Sequence, residues 1–264
     1  MNRLAPLMFC GSIWLQGAEW ATAYGIHDTF VNDKGSHTTG ADIGVIGRSL
    51  TPGGIRVEGD FTLFFEYDHD ELDPDYQPIW YRLRTAAGQD VYRFSPDATL
   101  GWIANFDGKH NTVSGVEKHY KLFAGTEARY AFPGLILGFQ VLGGYYMLEI
   151  DDDVPRSRGY RAGDFVHETP AYTLVAEART ALTPKTSAIA RIQQYRDDKT
   201  WLENRGELIV RYDGADWIDK ATLGMSAEYS RYNLEPYQKA GLRPILPWND
   251  DVVMRVYVEM PWGK

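Results

Sequence analysis

Arginine and carboxylate side chains recur at alternate residues along much of this chain, and that spacing is where chemistry is written in quantity. Arg56, Glu58 and Asp60 share a face of the run 55–67, Arg82 and Arg84 a face of 77–85, and Arg93 and Asp97 a face of 91–106. Glu127 and Arg129 follow in 116–132, and Arg191, Arg211, Glu228, Arg255 and Glu259 continue the series to the end of the chain. Successive side chains of a strand point to opposite faces, so each run has one charged wall. Facing rows of charge can line a pore and orient a polar solute. The same residues can also pair across strands and fill a closed interior, because desolvated charges need partners. The two signs balance, which disfavours a strongly ion-selective pore.

The opposite face of each run decides where such walls sit. In 55–67 it carries Ile55, Val57, Phe61, Leu63, Phe65 and Tyr67, with Phe64 the one large apolar residue on the charged side. A tilted strand of about ten residues crosses a bilayer core. The pattern returns at 39–47, 77–85, 91–106, 116–132, 135–150, 170–182, 187–195, 207–212, 220–232 and 252–262, with a weaker first strand at 24–31. We therefore expect an all-β fold, a transmembrane antiparallel up-and-down β-barrel of about twelve strands, with about ten as the alternative, in a bacterial outer membrane. An even strand count with both chain ends in the periplasm requires the first short strand.

Bulk properties agree. The 264 residues carry a net charge of −9, which argues against a nucleic-acid partner, since phosphate binding needs basic patches. A mean hydropathy of −0.37 fits alternating strands and excludes a bundle of membrane helices. The 17 tyrosines and 8 tryptophans suit interfacial girdles. A basic start, an apolar stretch from Leu4 to Ala18 and the small residues Ala21-Thr22-Ala23 read as a signal peptide over 1–23, with a cut after 18 as the second choice and the barrel over 24–264. Either cut removes Cys10, the one cysteine, and with it any thiol chemistry. Bulky Phe9 before Cys10 disfavours lipidation.

Turn chemistry sets the order of the strands. Short turns are expected at 51–54, 86–89, 133–134, 183–186 and 213–217, alternating with longer connections at 68–76, 106–115, 151–167, 196–203 and 233–250, as periplasmic turns alternate with outer loops. Pro96 lacks a ladder donor and predicts a bulge or a bend within 91–106 rather than regular pairing. The run 135–150 is the least regular: Ile136, Leu142 and Leu148 oppose its outer apolar face, so it is expected either to cover a plug or to pack internally.

Other chemistry is thin. The acidic stretches 66–75 and Asp151-Asp152-Asp153 do not match an EF-hand, and His27, His37, His69, His110, His119 and His167 have no paired metal spacing. The best hydrolase constellation is His119 with Ser114 or Ser95, without a Gly-x-Ser-x-Gly elbow. No catalytic residue, cofactor or metal is expected. Outer-membrane lipid, lipopolysaccharide and the barrel insertion machinery are the expected partners. The alternating strand Val252, Met254, Val256, Val258, Met260 and Trp262 resembles the terminal signal read by that machinery, although Gly263-Lys264 extends past the aromatic.

At class level the chain resembles bacterial outer-membrane barrels of the size of nucleoside channels and oligogalacturonate porins. The strings Val175-Ala176-Glu177-Ala178, Leu182-Thr183-Pro184, Leu223-Gly224 to Glu228, Tyr232, Gly241 and Thr39-Gly40-Ala41-Asp42 are similar in order to the S protein of cellulose-biosynthesis clusters. That resemblance implies an accessory role in exopolysaccharide export, with export components as partners. The function expected is thus a passive conduit for small solutes or oligosaccharides, or a secretion accessory. The alternatives are a barrel enzyme hydrolysing lipid or saccharide, and a sealed anchoring barrel.

Overall fold

Twelve stretches of alternating sequence pair in chain order, and the last returns to the first. The computed structural model describes residues 18–32, 37–68, 79–110, 116–218 and 220–262. Its strands are β1 (Glu19–Val31), β2 (His37–Leu50), β3 (Arg56–Asp68), β4 (Ile79–Ser95), β5 (Ala98–His110) and β6 (Val116–Phe132). They continue as β7 (Leu135–Ile150), β8 (Val166–Thr183), β9 (Thr186–Arg196), β10 (Trp201–Asp213), β11 (Thr222–Tyr232) and β12 (Asp250–Pro261). Every neighbouring pair is antiparallel, and β1 closes on β12 from Ala21↔Pro261 to Val31↔Asp251. Closure leaves no strand edge unpaired.

The strand count agrees with the sequence, but one hairpin moves. A turn was expected at 86–89, within a break between two strands. Instead β4 runs through Ala86, Ala87 and Gly88, which pair with Glu58, Val57 and Arg56 of β3, and with Asn105, Ala104 and Ile103 of β5. The chain reverses at Pro96-Asp97, where the Ser95 hydroxyl accepts the N–H groups of Asp97 and Ala98 at 3.3 and 3.1 Å. Proline cannot donate to a ladder, and its fixed φ suits a turn corner, so of the bulge or bend expected at Pro96 the chain takes the bend, as a full reversal. Gly88 serves close approach instead, since a Cβ there would lie 2.9 Å from the Trp102 carbonyl oxygen. At Pro133-Gly134 the expected reversal stands, with Gly134 at φ 78° in the left-handed region that glycine enters without strain.

The exterior is a lipid face. Ile26, Leu122, Val141, Ile192, Met225 and Val256 are exposed along the middle of the wall. Aromatics ring both ends: Trp20, Tyr92, Phe94, Tyr130, Phe132 and Trp262 beside the short turns, and Phe30, Tyr67, Tyr81, Tyr145, Tyr172 and Tyr229 beside the long loops. A closed single-chain barrel with an apolar belt between aromatic girdles is the form of outer-membrane proteins. The short-turn end, which holds both β1 and β12 termini, faces the periplasm.

The plug foreshadowed by β7 is present. Leu142, Tyr146, Leu148 and Ile150 point inward and are buried with Tyr160 and Phe165 from the β7–β8 loop and Leu234, Tyr237, Ile245, Leu246 and Trp248 from the β11–β12 loop. The first loop carries a short helix, α1 (Asp153–Ser157). Tyr237 donates its hydroxyl proton to the Leu148 carbonyl at 2.9 Å, and Tyr160 donates to the Arg243 carbonyl at 3.1 Å, which ties both loops to each other and to the wall. Lys239 pairs with Asp164 across the two loops and holds that carboxyl below the usual carboxylate range.

β1 begins at Glu19, and Ala21, Thr22 and Ala23 pair with both β2 and β12. A cut after residue 23 would strip these residues from the seam that closes the barrel. We propose cleavage after Ala18, so N-terminal sequencing of the mature protein is expected to begin at Glu19. A start at Tyr24 would contradict this.

Candidate functional site in the lumen

Inward-facing charges do more than pair with the neighbouring strand. Arg82 on β4 binds Asp107 on β5 through two hydrogen bonds of 3.1 and 2.9 Å, and also reaches Glu228 on β11 at 2.8 Å. Arg84, also on β4, donates to Glu207 on β10 at 2.6 Å and to Glu228. Arg205 on β10 reaches Asp107 at 2.5 Å and closes on Glu228. Lys121 on β6 donates to Glu203 on β10 at 3.2 Å, and the same carboxylate lies 3.1 Å from His119 Nε2. Arg82 with Asp107 and Arg205 with Glu228 join adjacent strands, but β4 is not a neighbour of β10 or β11, nor β10 of β5 or β6. Those remaining pairs therefore span the lumen, and their side chains occupy its cross-section at mid-height.

A second cluster fills the lumen beside β1 to β4. Buried His27 sits between Asp42 and Glu66, 3.5 Å from each. Arg255 Nε donates to Asp42 at 2.8 Å, and Trp80 Nε1 donates to Glu66 at 2.6 Å. Phe64, the apolar residue out of place in its row, stacks on Trp80 with centroids 3.6 Å apart. Gly25 leaves room for Asp42, whose carboxylate lies 2.6 Å from where a Cβ would stand.

Below these clusters, on the periplasmic side, the lumen opens. Two adjoining cavities of 440 and 470 Å³ share Arg48, Glu58, Gln140, Arg179 and Arg191 on their walls. Their charges are paired: Arg56 with Glu127 at 3.1 Å, Arg191 with Glu177 at 2.5 Å, Arg211 with Glu259 at 2.9 Å, and Arg129 with Asp90. Walls whose charges are balanced and paired around a space of this size can take up polar solutes without favouring one sign of charge.

Arg56, Glu58, Asp60, Arg82, Arg84, Glu127, Arg129, Arg191, Arg211, Glu228, Arg255 and Glu259 all face this interior. Asp97 does not, because the shifted hairpin puts it in the turn itself. Arg93, beyond a bulge at Val91, pairs in register with Thr99 and through it with Arg129, so it keeps the inward parity at the exposed periplasmic end of β4. The sequence reading missed Asp42, Asp107, Glu203 and Arg205. Asp107 and Glu203 fall in segments expected to be loops, whereas β5 runs on to His110 and β10 begins at Trp201.

The hydrolase constellation is not assembled among the described residues. His119 is buried against Glu203, Tyr146 and Tyr232 near the outer end, Ser95 caps the periplasmic turn, and Ser114 lies outside the described residues. Most of the acidic stretch 66–75 also lies outside them. Asp151, Asp152 and Asp153 cluster at the start of α1, where Asp151 accepts the Asp153 N–H at 3.1 Å and Asp152 pairs with Arg156.

With this geometry in hand, comparison adds fold likeness alone. Solved barrels align over nearly the whole chain. The KdgM porin solved with disordered oligogalacturonate matches at 7% identity and TM-score 0.46, covering 91% of this chain and 99% of that one. An outer-membrane channel from Pseudomonas putida F1 matches at 10% identity and TM-score 0.47, covering 92% and 96%. Outer-membrane phospholipase A from Escherichia coli matches at 13% identity and TM-score 0.43, covering 90% and 92%. No protein-family model and no curated protein sequence matches the chain. The likeness to the cellulose-cluster S protein therefore rests on its short strings.

Proposed function

We propose that this outer-membrane barrel is a conduit for small polar solutes, held closed on its outer side in the conformation described. The observation that carries this reading is the periplasm-facing vestibule of 470 Å³, lined by arginines and carboxylates of seven strands and ending at the lumen-spanning pairs of Arg82 and Arg84 with Glu228 and of Arg205 with Asp107. A barrel serving only as an anchor has no need of a charged vestibule. The plug and the mid-lumen network form two barriers in series, so passage requires both to move.

Because Cys10 is the chain's single cysteine and precedes β1, introduced cysteines report water access cleanly. Ala86→Cys, on the vestibule wall, is expected to react readily with a hydrophilic maleimide in the folded barrel. Leu142→Cys, 1% exposed in the plug cluster, is expected to react only after unfolding. Equal protection at both positions would contradict an open vestibule.

A further inference from the structure

The outer wall carries polar groups where lipid is expected. At one level of the barrel, Gln194 on β9, Asn204 on β10 and Arg231 on β11 are register neighbours on consecutive strands. They share the outward parity of exposed Ile192, Leu208 and Tyr229. Gln194 Nε2 donates to the Asn204 side-chain Oδ1 at 2.7 Å, and the Arg231 guanidinium lies 5.8 Å from the Trp201 ring centroid. Arg196, two residues beyond Gln194 on the same face, pairs in register with Trp201. Among the described residues Asp250 pairs with Arg231 at 3.7 Å and accepts the Tyr229 hydroxyl proton at 2.8 Å, while Arg196 has no ion pair. Two guanidiniums against this one carboxylate make a cationic spot at the outer girdle.

Directly beneath this row the wall is recessed. A groove of 530 Å³ is bounded by Phe139, Leu174, Ala176, Ile192 and Tyr229. Its floor is Gly206, where an added Cβ would meet nothing within 4 Å. Neither a positive φ nor a crowded neighbour requires glycine there. Its effect is to keep the recess open.

We infer that this groove binds one lipid A molecule of the outer leaflet. An acyl chain lies over Gly206, its amide linkage meets Gln194 and Asn204, and a phosphate sits between Arg196 and Arg231. Position and charge favour this occupant. Arg196 ends β9 and Arg231 lies next to the end of β11, both at the outer rim, where an anionic headgroup is at guanidinium height and its chains run down the wall. Polar groups facing hydrocarbon are costly unless a polar partner meets them, and a lipid amide and phosphate supply that partner.

The test is native mass spectrometry of the folded barrel in detergent with added diphosphoryl lipid A or, separately, phosphatidylglycerol, each variant first shown to be closed on a heat-modifiability gel. One lipid A is expected to stay bound. The double variant Arg196→Gln, Arg231→Gln should lower its retention about tenfold, since it removes charge-assisted hydrogen bonds to phosphate. Gly206→Leu, which fills the recess, should also lower it; if that variant does not close, the arginine pair decides. Unchanged retention in the arginine variant, or phosphatidylglycerol held as tightly as lipid A, would overturn the assignment. The result does not depend on whether the lumen conducts.

Discussion

Alanine at Arg205 is expected to destabilise the folded barrel by about 3–5 kcal/mol, the cost of leaving partners of a buried ion pair uncompensated. Arg205 is the one cation that holds both Asp107 and Glu228 from β10, and all three side chains are largely shielded from water. Removing it leaves Asp107 to Arg82 and the more distant Lys121, and Glu228 to Arg82 and Arg84, with Arg82 shared between the two carboxylates. Arg56→Ala supplies the contrast. Its guanidinium is 38% exposed, so its ion pairs with Asp90 and Glu127 should contribute less than about 1 kcal/mol. Denaturant unfolding of the two variants in one detergent or lipid system measures the difference. Equal losses would mean that the mid-lumen pairs are hydrated, and that the lumen is not filled there.

The second large effect concerns the plug. Ile245 is fully buried among Tyr237, Leu246, Trp248 and the inner face of β7. Ile245→Asp puts a charge into that apolar cluster, which costs several kcal/mol unless the loop leaves it. The wall itself is held by its own ladders, so the barrel should still close while the β11–β12 loop swings out. Cells carrying this variant are expected to become sensitive to bulky hydrophilic antibiotics that an intact outer membrane excludes, provided the mid-lumen pairs also yield. Combining it with Arg205→Ala unseats the plug and takes one cation out of the lumen-spanning network, and should give the strongest sensitivity. Unaltered resistance in a folded, membrane-inserted double variant would remove the conduit reading.

How much of this was legible in the sequence follows from what alternation can and cannot encode. Period-two runs such as Phe61, Leu63, Phe65 and Tyr67 opposite Thr62 and Glu66 place residues on a wall, and the register puts the candidate charges other than Asp97 on its inward face, Arg93 at the periplasmic rim. Alternation does not mark where a strand ends. Beyond the lipid belt the outward residues turn polar or small, as at Gly108 and His110 on β5, so the reading stopped early and lost Asp107, whose partners are on β4, β6 and β10. The β4–β5 hairpin was misplaced for a related reason. Ala86-Ala87-Gly88 looks like a turn because it lacks large side chains, yet it is wall, while Pro96 looked like a defect and is the corner. Cross-lumen partners such as Arg84 and Glu207 are 123 residues apart, and no local pattern pairs them. The plug left one sign: Leu142 and Leu148 on a face that in other strands is charged.

The most direct test of a conduit closed on its outer side is single-channel recording in a planar bilayer, comparing the wild-type barrel with the Ile245→Asp, Arg205→Ala double variant. The account predicts a folded wild-type protein that is silent or opens only rarely, and discrete, repeated conductance steps from the variant. Steady conductance from the wild type would show that neither the plug nor the lumen-spanning pairs closes the pore. A silent variant that is folded and inserted would show that the vestibule leads nowhere.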